Sequence, residues 1–390
     1  PGGRAAWGGL PDGGVHMRKL GWIMLAAMLL ARGATAATDA ERLTELERQA
    51  RVLAQEIEKL KLQEVALAPG ERAYGLSPSA SKVYRKDHGV SLGGYGEALY
   101  QNFDDAGKTD EWDFLRAVIY MGYKYNDRFV LNTEIEIEHA ADDKEGEVAV
   151  EFAYLDYLWK PELNLRGGLV LVPVGLISEY HEPTTFLGAR RPDIESRIIP
   201  STWRENGIGV FGDAAGFSYK AYLLNGFDGE NFTAAGLRGG RQKGSKAEAN
   251  DLAGVVRVDY TAVDGLMVGG SAYRGDSGQD LPFSLETTLV EGHVDWTWKG
   301  LEVRALAVAA EVDGADDLNA YLIARDALDA ATFDPVGEEM RGWYVQVGYD
   351  LFSTLSPGEA SLTPFVRYEK FNTQDKVPAG FTASGKNDVQ

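Results

Sequence analysis

The chain has 390 residues, a net charge of −20 at pH 7 and no cysteine. The absence of cysteine excludes a disulfide framework and any thiolate metal site or nucleophile, and the acidic balance argues against binding to nucleic acid phosphates. The length is sufficient for one large domain or two ordinary domains.

The amino-terminal residues have the pattern of a leader. Residues 1–16 precede Met17, and we expect them to be a non-native extension upstream of the true start. Two basic residues, an apolar run from Leu20 to Leu30 and then Ala34-Thr35-Ala36 follow, which predicts a cleaved signal peptide over residues 17–36. A membrane anchor is the alternative, but a run of about 11 residues is shorter than the ~20 that a spanning helix needs.

A heptad pattern occupies residues 37–68, where apolar residues recur at spacings of three and four. So narrow an apolar stripe on a charged helix predicts a coiled coil that joins three copies of the chain. A single amphipathic helix packed on its own domain is the alternative, since short coiled coils are marginal. The predicted oligomerisation residues are Leu43, Leu46, Leu53, Ile57 and Leu60. Residues 69–88 are predicted to be a linker.

From residue 89 the apolar period changes to two, which is the period of a β-strand. In Arg128–His139 the isoleucines fall on one face and the glutamates on the other. The pattern predicts about 13 strands. They are Val90–Gln101, Asp113–Tyr125, Arg128–His139, Glu147–Lys160, Asn164–Val172, Gly207–Ala214, Phe217–Asn225, Leu252–Thr261, Gly265–Arg274, Leu285–Lys299, Leu301–Val312, Arg341–Phe352 and Ser361–Phe371.

Tight turns alternate with long connections, of which Gly226–Asn250 and Asp313–Met340 are examples. Short turns on one rim and long loops on the other are typical of an outer-membrane barrel. We therefore predict an all-β protein, a transmembrane antiparallel β-barrel over residues 89–390. A porin-sized barrel has about 16 strands, so we expect the carboxy-terminal strands to be missing from this sequence. A water-soluble β-sandwich is the alternative, and long strands with apolar faces disfavour it.

Residues 173–206 break the strand pattern, and long inserts of this kind usually have a function. We predict that they form a constriction loop folded into the pore. The candidate anion-binding residues at the constriction are Arg190, Arg191, Arg197 and Arg204. The candidate lumen-wall residues are Glu134, Glu136, Glu138, Arg116 and Arg367. The glutamate row fits either a solvated wall or a ladder that binds cations.

The opening strand HGVSLGGYGEALYQNF, residues 88–103, resembles that of the phosphate-selective porins O and P. The segments LRGGLVLVPVGLISEYHEPTTF, WRENGIGVFG, GFSYKAYLLNGF and LTPFVRYEKFNTQ resemble the same family in the same order. The resemblance implies a homotrimer in the lipid bilayer of the bacterial outer membrane. It also implies a water-filled channel whose inward loop narrows the lumen and whose basic residues select small anionic solutes such as phosphate. The acids predicted on the lumen wall depart from strict phosphate selectivity.

The sequence gives only weak signals for metal binding, catalysis or a phosphate-binding loop. His181-Glu182 and His293 with Asp295 could bind a metal, but metal sites need three or four donors at defined spacing, so we expect no metal and no cofactor. Without a GxSxG nucleophile motif we expect no enzyme. The alternatives to a porin are an outer-membrane barrel enzyme and a plugged structural tether. The glycine-rich basic stretch Gly236–Gly244 is interpreted as a flexible surface loop, not a phosphate cradle.

Overall fold

The computed structural model describes residues 44, 48, 49, 51, 74, 76–104, 107–141, 146–353, 360–385 and 387–389. The chain divides into two compact units, residues 1–68 and 69–390. In the first unit the described residues are helical and exposed. The predicted extension 1–16, the signal peptide 17–36 and the oligomerisation residues Leu43, Leu46, Leu53, Ile57 and Leu60 lie outside the described residues.

The second unit is built on one antiparallel sheet. Its described residues form fourteen strands, hydrogen-bonded in chain order from β1 to β14. The strands are β1 Gly89–Gln101, β2 Glu111–Lys124, β3 Phe129–Glu138, β4 Val148–Lys160, β5 Leu163–Leu171, β6 Arg204–Ala214, β7 Phe217–Asn225, β8 Leu252–Val263, β9 Leu266–Asp276, β10 Glu286–Trp298, β11 Leu301–Asp313, β12 Glu339–Tyr349, β13 Phe365–Lys376 and β14 Asp388–Val389. The prediction of an all-β, antiparallel architecture is confirmed, and β1 to β13 follow the predicted strands in order.

The two faces of the sheet differ in polarity. One face, here the outer face, exposes large apolar side chains such as Leu92 (59% exposed), Ile208 (63%) and Val366 (75%). The opposite, inner face buries charged side chains, among them Asp156 and Lys220. In a water-soluble protein the distribution is normally the reverse. Large apolar side chains are mostly buried, and charged side chains are mostly exposed.

A long loop between β5 and β6, residues 172–203, lies on the inner face, and we call it the inner loop. It contacts strands from both halves of the sheet, which therefore curls around it. The contacts are His181 with Glu134 of β3, Glu179 with Lys220 of β7, Thr185 with Arg304 of β11, Glu195 with Tyr344 of β12, and Ile194 with Glu369 of β13.

Arg190 of the inner loop brings β1 and β13 together. Its Nη2 donates to the side-chain amide oxygen of Gln101 at the end of β1. Its carbonyl oxygen accepts a hydrogen bond of 3.3 Å from Arg367 Nη2 on β13. The first and thirteenth strands of the described sheet thus meet at one loop residue.

Connections at one rim are mostly tight, at residues 125–128, 161–162, 215–216, 264–265 and 299–300. Connections at the opposite rim are long, at residues 102–110, 139–147, 172–203, 226–251, 277–285 and 314–338. We call these the tight-turn rim and the long-loop rim. The alternation follows from the antiparallel order, in which successive connections lie at opposite ends of the sheet.

In the second unit, the described residues contain two α-helices, α1 Ile194–Arg197 and α2 Ala315–Arg325. The 3₁₀ helices are Lys82–Arg85, His139–Ala141, Pro183–Thr185, Gly229–Asn231 and Arg238–Gly240. Helix α2 lies where the sequence predicts only a loop. Its acidic first turn and Arg325 in its last turn fit the helix dipole, and Leu318 and Leu322 are buried. In the described part of the chain, no helix is both long and apolar enough to cross a bilayer.

Candidate functional site

Buried charges hold the inner loop to the sheet. Lys220 Nζ of β7 donates to both carboxylate oxygens of Glu179. Arg257 of β8 donates to the carbonyl oxygen of Gly175 and pairs with Asp259 at 2.7 Å. His293 of β10 lies 2.9 Å from the same aspartate. Because a buried charge is costly unless it is paired, these contacts fix the loop against the wall.

His181 and Glu134 form a second anchor on the other side of the loop. The Nε2 atom of His181 lies 3.0 Å from each carboxylate oxygen of Glu134, and Nδ1 lies 3.2 Å from the carbonyl oxygen of Ser178. Burial alone lowers the pKa of His181, but the charge of Glu134 and the hydrogen bond to it raise this pKa to about 9. The imidazole is therefore a cation at neutral pH and donates through both nitrogens.

A cavity of about 440 Å³ opens at the long-loop rim. Three of the four predicted constriction arginines, Arg190, Arg191 and Arg204, line it. The predicted wall residues Arg116, Glu136 and Glu138 line it as well. Arg204 is the first residue of β6, so the loop itself ends earlier than the predicted bounds of 173–206.

The structure does not bring Arg197 or Arg367 into the lining of this cavity. Arg197, the last residue of α1, is exposed. Ile194 at the start of the helix and Ile198 just after it are buried. Arg367 contacts Arg190 from β13. Glu134 is buried beneath the cavity against His181.

The wall arginines are neutralised by carboxylates. Arg116 pairs with Glu136 at 2.6 Å and with Glu97 at 2.9 Å. Arg204 pairs with Glu151 at 2.7 Å. Their charge therefore adds little to the field inside the cavity.

The loop arginines are not neutralised. Among the residues that the structure describes, no carboxylate lies within 4.0 Å of the guanidinium nitrogens of Arg190 or Arg191. Arg191 Nη1 lies 3.4 Å from the hydroxyl of Thr202. Burial, and then the nearby charge of Arg116, lower the pKa of Arg191. The lowered pKa reflects the burial of a positive charge that no carboxylate contacts directly.

Arg238 and Arg241 also line the cavity, although the sequence predicts a flexible surface loop there. They donate to the carbonyl oxygens of Ser201 and Thr202, which anchors the connection 226–251 to the inner loop. Burial, and then the charge of Arg238, lower the pKa of Arg241 to about 9. The preceding apolar residues Phe232 and Leu237, which are buried, were the available signal that this stretch packs.

A second cavity of about 930 Å³ lies at the tight-turn rim, where Asp259, Asp295 and Glu302 contribute acids to its lining. Residues 180–186 of the inner loop stand between the two cavities. His181, Pro183 and Phe186 line the first cavity, whereas Tyr180, Thr184 and Thr185 line the second. This segment of the inner loop therefore contributes to the walls of both cavities.

The histidine–carboxylate pairs that were considered as metal ligands, His181-Glu182 and His293 with Asp295, belong to no candidate metal site among the described residues. No group of three or more histidine, cysteine, aspartate or glutamate side chains there could hold a metal ion. His181 and His293 are instead occupied by ion pairs.

An uncharacterized protein of Aquifex aeolicus (strain VF5) is 38% identical over 343 residues, which are 85% of this chain and 77% of that protein. The chain belongs to the same family as this Aquifex protein. No protein-family model matches the sequence.

Three solved structures with a similar chain course are an OmpF, a BenF-like porin and an outer membrane channel. OmpF of Salmonella typhi in complex with daunomycin is 12% identical, with a TM-score of 0.46, over 76% of this chain and 81% of that one. A BenF-like porin of Pseudomonas fluorescens Pf-5 is 10% identical, with a TM-score of 0.38, over 78% and 86%. The outer membrane channel DcaP of Acinetobacter baumannii is 14% identical, with a TM-score of 0.37, over 74% and 93%.

Proposed function

We propose that this protein is a porin of the bacterial outer membrane, a barrel that forms a water-filled channel for passive diffusion of small hydrophilic solutes. The observation that carries the proposal is the inverted polarity of the sheet, which is apolar outside and charged inside. An apolar outer face is stable in lipid, whereas the charges of the inner face need water and partners. Such a channel requires no catalytic residue.

Two further features support membrane insertion. Trp159, Trp298 and Tyr349 are exposed on the outer face at strand ends near the tight-turn rim. Tyr100 and Trp112 are exposed near the long-loop rim, where their rings contact each other edge to face. Aromatic residues at both ends of an apolar band are typical of the two membrane interfaces.

The sheet closes on itself as a barrel, and the two contacts of Arg190 with β1 and β13 support closure. Closure satisfies the backbone groups that an open edge would leave unpaired in lipid. The assembled protein is a homotrimer, held in part by a coiled coil over residues 37–68. The support for this trimer is the heptad pattern of the sequence.

The channel prefers anions weakly, with phosphate as a representative solute. Net charge is a poor guide, because charges in wide, hydrated regions are screened over about 8 to 10 Å, whereas charges at a narrow site in a low-dielectric wall are not. At the cavity, Arg190 and Arg191 lack carboxylate partners in the described part of the chain. Guanidinium groups offer paired hydrogen bonds to oxyanions, and the acids nearby keep the preference weak.

The test is the reversal potential of single channels in a planar bilayer under a salt gradient. We expect the wild type to prefer anions and the double variant Arg190→Glu/Arg191→Glu to reverse the sign, because two positive charges at the narrow site become negative. Arg197→Glu is the matched control. Because Arg197 is exposed and does not line the cavity, this variant should leave the reversal potential unchanged. A wild type that already prefers cations, with no effect of the double variant, would refute anion selection by these arginines.

A plugged barrel that acts as a structural tether is the second candidate. The division of the inner space into two cavities by residues 180–186 favours it. Purified wild-type protein that inserts into the bilayer but carries no current would support the tether and contradict the porin.

A further inference from the structure

Residues 76–85 lie inside the curled sheet, although the sequence predicts a linker there. We call them the N-segment. Leu76, Ser77, Ala80, Ser81 and Val83 are buried. The last residues form the 3₁₀ helix Lys82–Arg85, which leads into β1 at the tight-turn rim. A solvated linker would leave these side chains exposed, so the N-segment is part of the packed interior.

Polar groups on the inner face of β3, β4 and β5 hold the N-segment. The Asn132 side-chain amide donates to the carbonyl oxygen of Ala80 at 2.9 Å. The Tyr84 hydroxyl donates to Asp156 Oδ2 at 2.7 Å and accepts from Arg166 Nη2 at 3.1 Å. Arg166 and Asp156 are themselves paired through two hydrogen bonds. A buried bidentate pair has fixed geometry, so the tyrosine that joins it is fixed as well.

Two glycines on the inner face of the sheet leave space for the N-segment. A Cβ atom built on Gly122 of β2 would lie 2.6 Å from Cβ of Val83, closer than two side chains can approach. A Cβ atom built on Gly93 of β1 would touch Lys82 at 3.5 Å. Glycine within a strand often marks a site where another segment comes close, and here that segment is the N-segment.

The N-segment also contacts the inner loop at the point that divides the two cavities. The Ser77 hydroxyl donates to the carboxylate of Glu182, and Glu182 lies within residues 180–186. At the other end of the N-segment, Tyr84 and Arg85 line the cavity at the tight-turn rim. The interior is thus narrowed from two sides, by the inner loop and by the N-segment.

We propose that the N-segment is a fixed part of the constriction, and that together with residues 180–186 it sets the largest solute that passes between the two cavities. The inference rests on the proposed porin function. It assigns a role in size selection to a stretch that precedes the first strand, separate from the arginines that select charge.

The test replaces residues 76–85 by a glycine–serine stretch of equal length in the full chain. This change removes the N-segment side chains that contact the wall, including Val83 and Tyr84. We expect a several-fold larger single-channel conductance in a planar bilayer, and a shift of the exclusion limit to larger poly(ethylene glycol) molecules. A milder double variant, Tyr84→Phe/Asn132→Ala, keeps the stretch but removes the side-chain hydrogen bonds of Tyr84 and Asn132 that hold it to β3, β4 and β5. We expect this variant to alternate between the wild-type and the larger conductance.

Tyr157→Phe is the matched control, because the Tyr157 hydroxyl bonds to Arg128 at 3.1 Å near the tight-turn rim, away from the N-segment. It should keep the wild-type conductance. If the wild type conducts and both N-segment variants conduct with the same size limit, the inference is overturned while the porin function stands. If the replacement fails to fold, the double variant alone is compared with the wild type for conductance and size limit. An unchanged size limit then overturns the inference. If the wild type and both variants are silent, the porin function fails, and the inference fails with it.

Discussion

The ion pair of His181 with Glu134 makes the docking of the inner loop depend on pH. Both side chains are buried, so little of their interaction is screened by solvent. The pKa of His181 is raised from 6.5 to about 9 in the folded protein, against the effect of burial, by the charge of Glu134 and the hydrogen bond to it. A group with a raised pKa contributes stability that is fully present below its unfolded pKa and is lost as pH rises through its folded pKa.

The magnitude follows from the same shift. Each tenfold change in proton affinity is worth about 1.4 kcal/mol, so the rise to about 9 corresponds to about 3 kcal/mol in favour of the folded state. This contribution is complete below about pH 6.5 and declines between that pH and about pH 9. The neutral imidazole still donates one hydrogen bond, so part of the interaction remains at higher pH.

The assay is a double-mutant cycle measured by urea unfolding in lipid vesicles from pH 6 to pH 10. The variants are His181→Gln, Glu134→Gln and both together. The single histidine variant leaves Glu134 buried without a cation, whereas the double variant replaces the ion pair by two neutral amides. We expect a coupling free energy of about 3 kcal/mol at pH 6 that falls as the pH approaches 10. A coupling that is constant over this range would refute the assignment of a charged His181.

Two further outcomes follow from the inner face. Lys220→Met leaves Glu179 buried without its ammonium partner, and we expect a loss of about 3 to 5 kcal/mol in the free energy of unfolding. Adding Glu179→Gln should recover part of this loss, and wild-type stability of the single variant would contradict the buried pair. Because the chain has no cysteine, single cysteines can report the faces of β3. In membranes, Glu136→Cys should react with a water-soluble thiol reagent through the cavity, whereas Ile135→Cys should be protected by lipid. Equal labelling of the two would contradict the assignment of faces.

The strands could be predicted from the sequence because their signal is local. In β3 the alternation of Ile135 and Ile137 with Glu134 and Glu136 has a period of two, and a strand with that period must place them on opposite faces. The long break before Arg204 could likewise be recognised, since no strand pattern covers it. Both features depend only on neighbours in the chain.

The sequence predicts a linker at the N-segment and a loop at helix α2, and the two predictions are wrong for different physical reasons. The N-segment is held by Asp156 and Arg166 and fits against Gly122, so its position depends on residues far along the chain. Helix α2 did have a local signal, with acids in the first turn and Arg325 in the last. Its apolar positions are few, however, and its burial depends on the neighbouring long connections.

Arg197 shows why spacing within a loop is a weak guide to a site. The sequence places it among the other arginines, but a single helical turn, α1, decides its direction. Ile194 of this turn and Ile198, which follows it, are buried. Glu195 accepts hydrogen bonds from Ile177 N–H at 2.6 Å and from Tyr344 at 2.7 Å. With that side fixed to the wall, Arg197 is left exposed outside the cavity.

The acids of the wall and the arginines of the loops appeared to conflict in the sequence, and pairing resolves the conflict. Glu134 is bound by His181, and Glu136 by Arg116. Glu138, further along the same row, is only half-buried at the end of β3. A carboxylate that is already paired contributes little field to a passing ion. If the protein is the proposed channel, its selectivity should therefore follow Arg190 and Arg191, which have no carboxylate within 4.0 Å among the described residues, and not the net charge of the chain.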